Sequence, residues 1–410
     1  MAVLEMQRIS ICAMKKDRKA ILEKLQSFGA LEVNHVIGED PDFARMDTAG
    51  QKLGFEKAAA SADQALEILE KYAPEKKSIF SSLEGKELIE PETEKEVQAE
   101  RRELLKTAKA LYDLDRERAE QLASITKLEN SIESLTPWLP LDVPMKQKGT
   151  RRTAMLLGSM PGEMTMERIC EVIAEKVPDA VGTDVHIVSS EQSAVYLAVV
   201  CMKEDAAQVE EALRSEGFAR PAQIWDDVPA YQKDELEGQI ADCRQRIAQI
   251  EEEIRGYADQ REKLKIVADY YRVRADKYAV LGQLPQSRRT FVISGYIPRS
   301  CAQKVAEYLT GKYDCAVDIE DLKEDEEAPV ILKNNPFSAN MEGVVESYGL
   351  PAKGEIDPTT IMSFFYVFLF GLMLSDAAYG LIIFLGCFAV IKKFPRMESS
   401  LKKSIKMFMY

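Results

Sequence analysis

Residues that serve in metal and redox sites are scarce in this 410-residue sequence. The two histidines, His35 and His186, both fall in predicted strands, where a histidine of the core or its rim is commoner than a ligand. The seven cysteines are scattered, and no CxxC pair of the kind found in zinc and redox sites occurs. We therefore predict no metal site and ordinary buried thiols of a reducing compartment.

Motifs that bind nucleotides are absent as well. The sequence contains no P-loop, no GxGxxG and no nucleophile elbow, so we predict no catalytic residue, no cofactor and no ATP hydrolysis by this chain. The formal net charge is -14, and no basic face occurs before the last stretch, which excludes nucleic acid as a partner. The N-terminus lacks the basic region and apolar core of a signal peptide, which predicts that the first part is cytoplasmic.

Two groups of short strands and helices predict two small α/β lobes. The first lobe is split, because strand–helix–strand units at residues 8–36 and 290–319 lie far apart in the sequence. The second lobe, residues 154–224, has the order β-α-β-β-α-β of the ferredoxin-like fold, and its last predicted strand is 219–224. That order is too common to indicate a function.

A short internal similarity links the two lobes. Gly158-Ser-Met-Pro161 and Gly295-Tyr-Ile-Pro298 each leave a predicted strand and enter a predicted helix. The similarity hints at a duplication and goes no further.

Long heptad patterns predict an antiparallel two-helix coiled coil between the lobes. Pro74 and Pro91 interrupt the outgoing arm, which indicates a looped or offset stretch there. A dimerising coiled coil is the alternative, and we disfavour it because the lobe halves at both ends require the arms to fold back. The predicted seam consists of Leu236, Ile240, Ile247, Ile250, Ile254 and Leu264 on the returning arm and Ile125, Leu128 and Ile132 on the outgoing arm.

The fold class predicted from these patterns is α+β, with two ferredoxin-like lobes, the coiled coil and a transmembrane helical segment. The predicted divisions are 1–50 with 284–325 for the split lobe, 51–140 for the outgoing arm, 150–226 for the second lobe, 228–283 for the returning arm, 326–360 for a linker, 361–391 for the transmembrane segment and 392–410 for a basic tail.

Specific motifs precede and open the apolar segment. Tyr348-Gly-Leu-Pro351 and Glu355-Ile-Asp-Pro-Thr359 are followed by an aromatic run that ends in Ser375-Asp-Ala-Ala-Tyr-Gly380. This succession resembles the stator subunit, called subunit a or subunit I, of V/A-type rotary ATPases. Ser375 and Ala378 stand where that family usually has glycine. The residues that carry the resemblance before the apolar segment are Tyr348, Gly349, Leu350, Pro351, Glu355, Asp357 and Pro358.

The apolar run 361–391 exceeds the roughly 20 residues that cross a bilayer, so we predict that it is inserted in the membrane. Its polar candidates are Ser375, Asp376 and Tyr379. Asp376 is either a proton-path residue or, as we favour, a structural acid bonded to a neighbouring helix. Because basic flanks usually stay cytoplasmic, the basic tail conflicts with a single span, and both a tilted helix and a re-entrant hairpin remain open.

The resemblance implies a stator subunit of a prokaryotic proton or sodium ATPase, without a catalytic role. Its implied partners are the peripheral-stalk subunits, the rotor ring, the central-stalk collar subunit and the lipid bilayer. Its implied location is the cell membrane, multi-pass in the complete protein, because the family continues through further transmembrane helices. The sequence is therefore interpreted as a fragment. A membrane-tethered coiled-coil scaffold or sensor without ion transport is the alternative.

Overall fold

A computed structural model describes residues 3–34, 44–75, 81–85, 88–162, 164–191, 193–323, 326–352 and 354–410. The chain combines helix and sheet and divides into two units. Unit 1 comprises Met1–Glu67, Pro74–Ala108 and Gln260–Tyr410, and unit 2 comprises Ile68–Ala73 and Lys109–Asp259.

The strands are β1 Met6–Met14, β2 Glu32–Asn34, β3 Ala44–Arg45, β4 Thr153–Pro161, β5 Asp184–Ser190, β6 Ala194–Met202, β7 Pro285–Gln286, β8 Thr290–Pro298 and β9 Cys315–Asp321. The α-helices are α1 Arg18–Phe28, α2 Ala49–Tyr72, α3 Ser81–Glu84, α4 Pro91–Leu135, α5 Met166–Lys176, α6 Ala206–Arg214, α7 Pro229–Gly256, α8 Arg261–Gln283, α9 Arg299–Lys312, α10 Glu342–Tyr348, α11 Thr359–Leu374, α12 Ala377–Lys393 and α13 Ser399–Met409.

The sheet of unit 1 joins both halves of the split lobe. Strand β1 lies between β8 and β9 and pairs antiparallel with each, and β2 pairs with the far side of β8. Alternating apolar residues of β1 and β8 are fully buried under α1 and α9. Of the predicted strand 31–36, the structure shows Glu32–Asn34 as a strand, and residues 35–36, including His35, lie outside the described residues.

The sheet of unit 2 has the order β4-β6-β5, and α5 and α6 cover one of its faces. The predicted strand 219–224 is wrong, because only Ala219 pairs with Ser159 of β4. Pro221 follows closely and cannot donate a ladder hydrogen bond, so the pairing ends there. His186 lies on β5, the edge strand of this sheet, and is exposed.

Corresponding strands of the two lobes lie in the same spatial order, although they follow one another in a different order along the sequence. The order is Ala219-β4-β6-β5 in unit 2 and β2-β8-β1-β9 in unit 1, and helices follow corresponding strands. Gly158 on β4 and Gly295 on β8 occupy the same place in this scheme. A side chain at Gly295 would overlap the carbonyl oxygen of Glu32, and one at Gly158 would overlap the Phe218 ring. The shared glycine motif is therefore explained by close approach of the neighbouring chain.

In the described part of unit 1, α8 lies against both α2 and α4, so the two-helix prediction is wrong there. Helix α8 contacts α2 through Arg272 and Asp63, 2.6 Å apart, and α4 through Lys263 and Glu100, 2.8 Å apart. The interruption between α2 and α4 begins near Pro74, as the sequence indicates. Leu264 of the predicted seam is fully buried.

In unit 2, α4 and α7 lie antiparallel and side by side. Three ion pairs join them, including Arg118–Glu251 at 2.9 Å and Arg246–Glu117 at 2.7 Å. The returning arm is not one helix, because α7 ends at Gly256 and a 3-10 turn precedes α8. Of the predicted seam in this unit, Ile250 and Ile254 are fully buried, Leu236, Ile240 and Ile125 are nearly buried, and Ile247, Leu128 and Ile132 are half-buried.

Candidate functional site

The linker after β9 is fastened to the unit-1 sheet at Glu326. Its carboxylate accepts hydrogen bonds from Arg8, with Nε at 3.0 Å, and from the Tyr296 hydroxyl at 3.0 Å. Arg8 and Tyr296 are register partners on β1 and β8. The hydrogen bond from Arg8 lowers the pKa of Glu326 more than burial raises it. Farther along, Leu332 pairs with Val3, so the linker adds a second contact to this lobe.

We expect this attachment to weaken in acid. Because the folded-state pKa of Glu326 is lowered, its contribution to stability is complete above the ordinary value of 4.5 and is lost as the pH falls through the folded-state pKa. Hydrogen exchange of the linker amides, corrected for the intrinsic rate, should rise progressively as the pH falls below the ordinary value of 4.5. Glu326→Gln should raise exchange already at pH 7 and remove this pH dependence. Exposed Glu327→Gln is the control, and an equal effect there would refute the role of Glu326.

The acidic residues before the apolar segment hold the turn that starts α11. Asn334 donates to Asp357 at 2.9 Å and to Glu342 at 3.1 Å. The backbone N–H and the hydroxyl of Thr359 both donate to Asp357. Burial raises the pKa of Asp357, and the hydrogen bonds from Thr359 and Asn334 lower it by more, so it lies below its ordinary value. Sequence analysis predicts Asp357 by resemblance and does not include Asn334 among the candidate residues.

The remaining residues of these motifs shape turns. Glu355 accepts a hydrogen bond from the backbone of Ala352 at 2.8 Å. Gly349 has a φ of 120° and terminates α10, which only glycine does without strain. Tyr348 is 89% exposed and Leu350 45% exposed, so neither belongs to the core of this unit. Pro351 is buried, and Pro358 directly precedes α11.

The apolar run 361–391 is interrupted, which corrects the prediction of one transmembrane segment. Helix α11 ends at Leu374, Ser375 takes a left-handed φ of 47°, and Asp376 caps α12 by accepting from the Ala378 N–H at 2.8 Å. This N-cap bond lies within its own helix. In the part of the chain that the structure describes, no helix has both the length and the apolar character required to cross a membrane.

After the break the chain folds back. Lys403 of α13 pairs with Glu342, which precedes α11, at 2.7 Å. The rings of Tyr410 and Phe337 meet with centroids 5.2 Å apart. The segment after α12 therefore packs against the segment before α11, which agrees with the hairpin alternative left open by the sequence.

Ser375 carries a backbone conformation that costs free energy. Left-handed geometry costs a residue with a Cβ roughly 1 kcal/mol relative to glycine. We expect Ser375→Gly to stabilise the helix pair by about 1 kcal/mol, measured by thermal unfolding of the chain in lipid nanodiscs. Ser404→Gly makes the same chemical change inside helical α13 and should destabilise by a similar amount. Destabilisation by both changes would contradict the proposed strain.

The three polar candidates of the apolar run differ in their surroundings. Ser375 and Asp376 line a cavity of about 610 Å³ together with aromatic residues of α11 and α13, whereas Tyr379 is not part of its lining and is 63% exposed. Large apolar side chains cover the outside of both helices, and Met373 and Ile382 are 82% and 66% exposed. An exposed apolar surface of this kind indicates contact with lipid or with another protein.

The sequence model of the V-type ATPase 116kDa subunit family matches residues 162–410. The chain belongs to this family. Helices α11, α12 and α13 fall inside the matched range, as does the lobe of unit 2 from α5 onward, whereas β4 lies just before it.

The A-type ATP synthase subunit I of Pyrococcus horikoshii is one similar protein. It is 30% identical to this chain over 58% of this chain and 38% of the relative. The A-type ATP synthase subunit I of Methanocaldococcus jannaschii is 25% identical over 70% of this chain and 43% of the relative. The chain thus spans less than half the length of these relatives. A crystal structure of the cytoplasmic N-terminal domain of subunit I, homolog of subunit a, of V-ATPase matches 76% of this chain and 99% of that chain, with 14% identity and a TM-score of 0.40.

Proposed function

We propose that this chain is the lobe-and-arm part and the first membrane-associated part of a stator subunit in a V/A-type rotary ATPase. Family membership is the observation that carries this proposal. In it, two α/β lobes connected by paired helices hold peripheral-stalk subunits, and the lobe of unit 1 sits beside the central-stalk collar. The role is mechanical and non-catalytic, and ion transport belongs to the complete complex with its rotor ring.

Paired helices suit this role because a connection that bears torque must resist bending. The antiparallel contact of α4 and α7 combines fully buried Ile250 and Ile254 with ion pairs on both sides. In this proposal the pair acts as a two-helix coiled coil, in which each helix supports the other against bending. The arms of the proposed stator therefore transmit force between its lobes.

In this proposal, the apolar hairpin anchors the stator in the cell membrane with both ends on the cytoplasmic side. At 1.5 Å per residue, helices of 16 and 17 residues reach about 25 Å, a large part of the roughly 30 Å hydrocarbon core. The exposed apolar side chains favour contact with lipid or with neighbouring transmembrane helices. A return to the cytoplasmic side also removes the conflict with the basic tail.

The test is purification of the complete, tagged protein from native membranes, followed by identification of the proteins that accompany it. Nucleotide-binding subunits and stalk subunits should be recovered together with the tagged protein. Recovery of the tagged protein from membranes without them would refute the stator role and favour a tethered scaffold or sensor.

Asp376 is assigned a structural role in this proposal. Asparagine retains the side-chain oxygen that caps α12, whereas alanine removes it at a cost of about 1 kcal/mol. In the complete protein, Asp376→Asn should preserve both assembly and ATP-driven pumping, and Asp376→Ala should lower the yield of assembled complex. Loss of pumping with intact assembly in Asp376→Asn would instead identify a proton-path residue.

A further inference from the structure

The end of the apolar hairpin concentrates positive charge in an acidic protein. Residues 377–410 contain six basic residues and a single acidic one, Glu398, although the whole chain has a formal net charge of -14. Four of these basic residues lie within 392–402, on the last turn of α12, the connecting turn and the start of α13. The charge is therefore local to one end of the helix pair.

Several of these cations are already engaged. Lys403 pairs with Glu342 at 2.7 Å, Lys402 donates to the Pro395 carbonyl at 3.2 Å, and Lys393 lies over the Phe394 ring. Lys392 and Arg396 are both exposed, and within the described ranges neither has a carboxylate at ion-pair distance. These two cations are available for an anion from outside the chain.

The turn that carries Arg396 is held in place. Phe394 and Met397, on either side of it, are 9% and 5% exposed. The Arg396 carbonyl lies so close to Gly85 that a side chain at Gly85 would overlap it. Because these contacts fix the backbone of the turn, binding of an anion orders only side chains.

The side chains near Lys392 and Arg396 indicate which kind of anion fits there. Exposed Leu385 and Phe388 occupy the two turns of α12 before Lys392, so an apolar surface leads directly to the cations. A free phosphate uses only the cations, whereas a phospholipid also covers the apolar surface with its acyl chains. A negatively charged headgroup on apolar chains therefore matches both features.

We propose that Lys392 and Arg396 bind the phosphate headgroup of an anionic phospholipid. The inference rests on the proposed insertion of the hairpin in the membrane. Each basic side chain near an anionic surface strengthens binding about fivefold. The two together should produce a preference of about tenfold or more for an anionic over a zwitterionic lipid.

The experiment counts the lipids retained by the purified chain after extraction from vesicles of equal phosphatidylglycerol and phosphatidylcholine content. The native chain should retain phosphatidylglycerol over phosphatidylcholine by about tenfold. Lys392→Gln with Arg396→Gln should reduce the ratio to near one. Lys16→Gln with Lys304→Gln removes two exposed cations from the unit-1 lobe and should leave the ratio unchanged.

Equal retention of both lipids by the native chain, or an unchanged preference in the Lys392/Arg396 variant, would overturn the proposal. So would complete displacement of phosphatidylglycerol by millimolar inorganic phosphate, because the acyl chains would then contribute nothing. Flotation with pure phosphatidylcholine vesicles separates this inference from the proposed function. Failure to float rejects membrane insertion, whereas flotation without an anionic preference rejects only the lipid site.

Discussion

Gly295→Ala should destabilise the unit-1 sheet by about 3 kcal/mol, the size expected when a substitution forces backbone apart. The added Cβ would overlap the Glu32 carbonyl of β2, and a backbone atom cannot rotate away as the end of a side chain can. Relief requires that β2 separate from β8, which breaks the pairing around Val33. Hydrogen exchange followed by mass spectrometry should show the loss of protection in β1, β2 and β8.

The controls for this prediction come from the same chain. Gly311 lies in α9 with open space where a Cβ would be placed, so Gly311→Ala should be neutral or slightly stabilising. Gly158→Ala should reproduce the large loss in unit 2, because Phe218 and the Ala219 carbonyl block the added Cβ. Normal protection of β2 in Gly295→Ala would show that the close approach is not required.

Ile250→Ala should destabilise the helix pair of unit 2 by about 3 kcal/mol. The Ile250 side chain is fully buried, so its truncation removes apolar contact and leaves a cavity. Ile250→Asp should be worse, because the carboxylate would be buried without a partner. Protection against hydrogen exchange in α7 and in residues 109–135 of α4 should fall.

The matched control for this seam prediction is Gln249→Ala, one residue away and exposed. Its effect should stay within about 0.5 kcal/mol. Equal losses for Ile250→Ala and Gln249→Ala would mean that helix propensity rather than packing sets the stability of this arm.

The elements that precede the apolar run were largely predictable because their signals are local. Alternation of polar and apolar residues places β1, β4 and β8 within a few residues of their bounds. The strand at 219–224 failed because Pro221 outweighs the apolar pattern around it. The prolines indicated that the outgoing arm is interrupted, but no local signal indicates that α2 remains beside α8.

The candidate site was only partly predictable. Hydropathy detects the apolar run but not a single left-handed residue, so the sequence leaves a tilted helix and a hairpin open and does not place the break at Ser375. The left-handed φ of Ser375 suits the glycine that the resembled family usually has at this position. The sequence offers Asp376 as a polar candidate, whereas its cap within its own helix depends on geometry that composition does not contain.

The positions of the strands in the sequence determine when each sheet can form during synthesis. All strands of the unit-2 sheet lie between Thr153 and Met202, so that sheet can form soon after its residues leave the ribosome. Strand β1, in contrast, must wait for β8 and β9, which are translated roughly 280 residues later, tens of seconds at ordinary elongation rates. During that interval Ile9 and Ile11 have no partner strand, so the first strand to be synthesised completes its sheet late and exposes apolar side chains that a chaperone can bind.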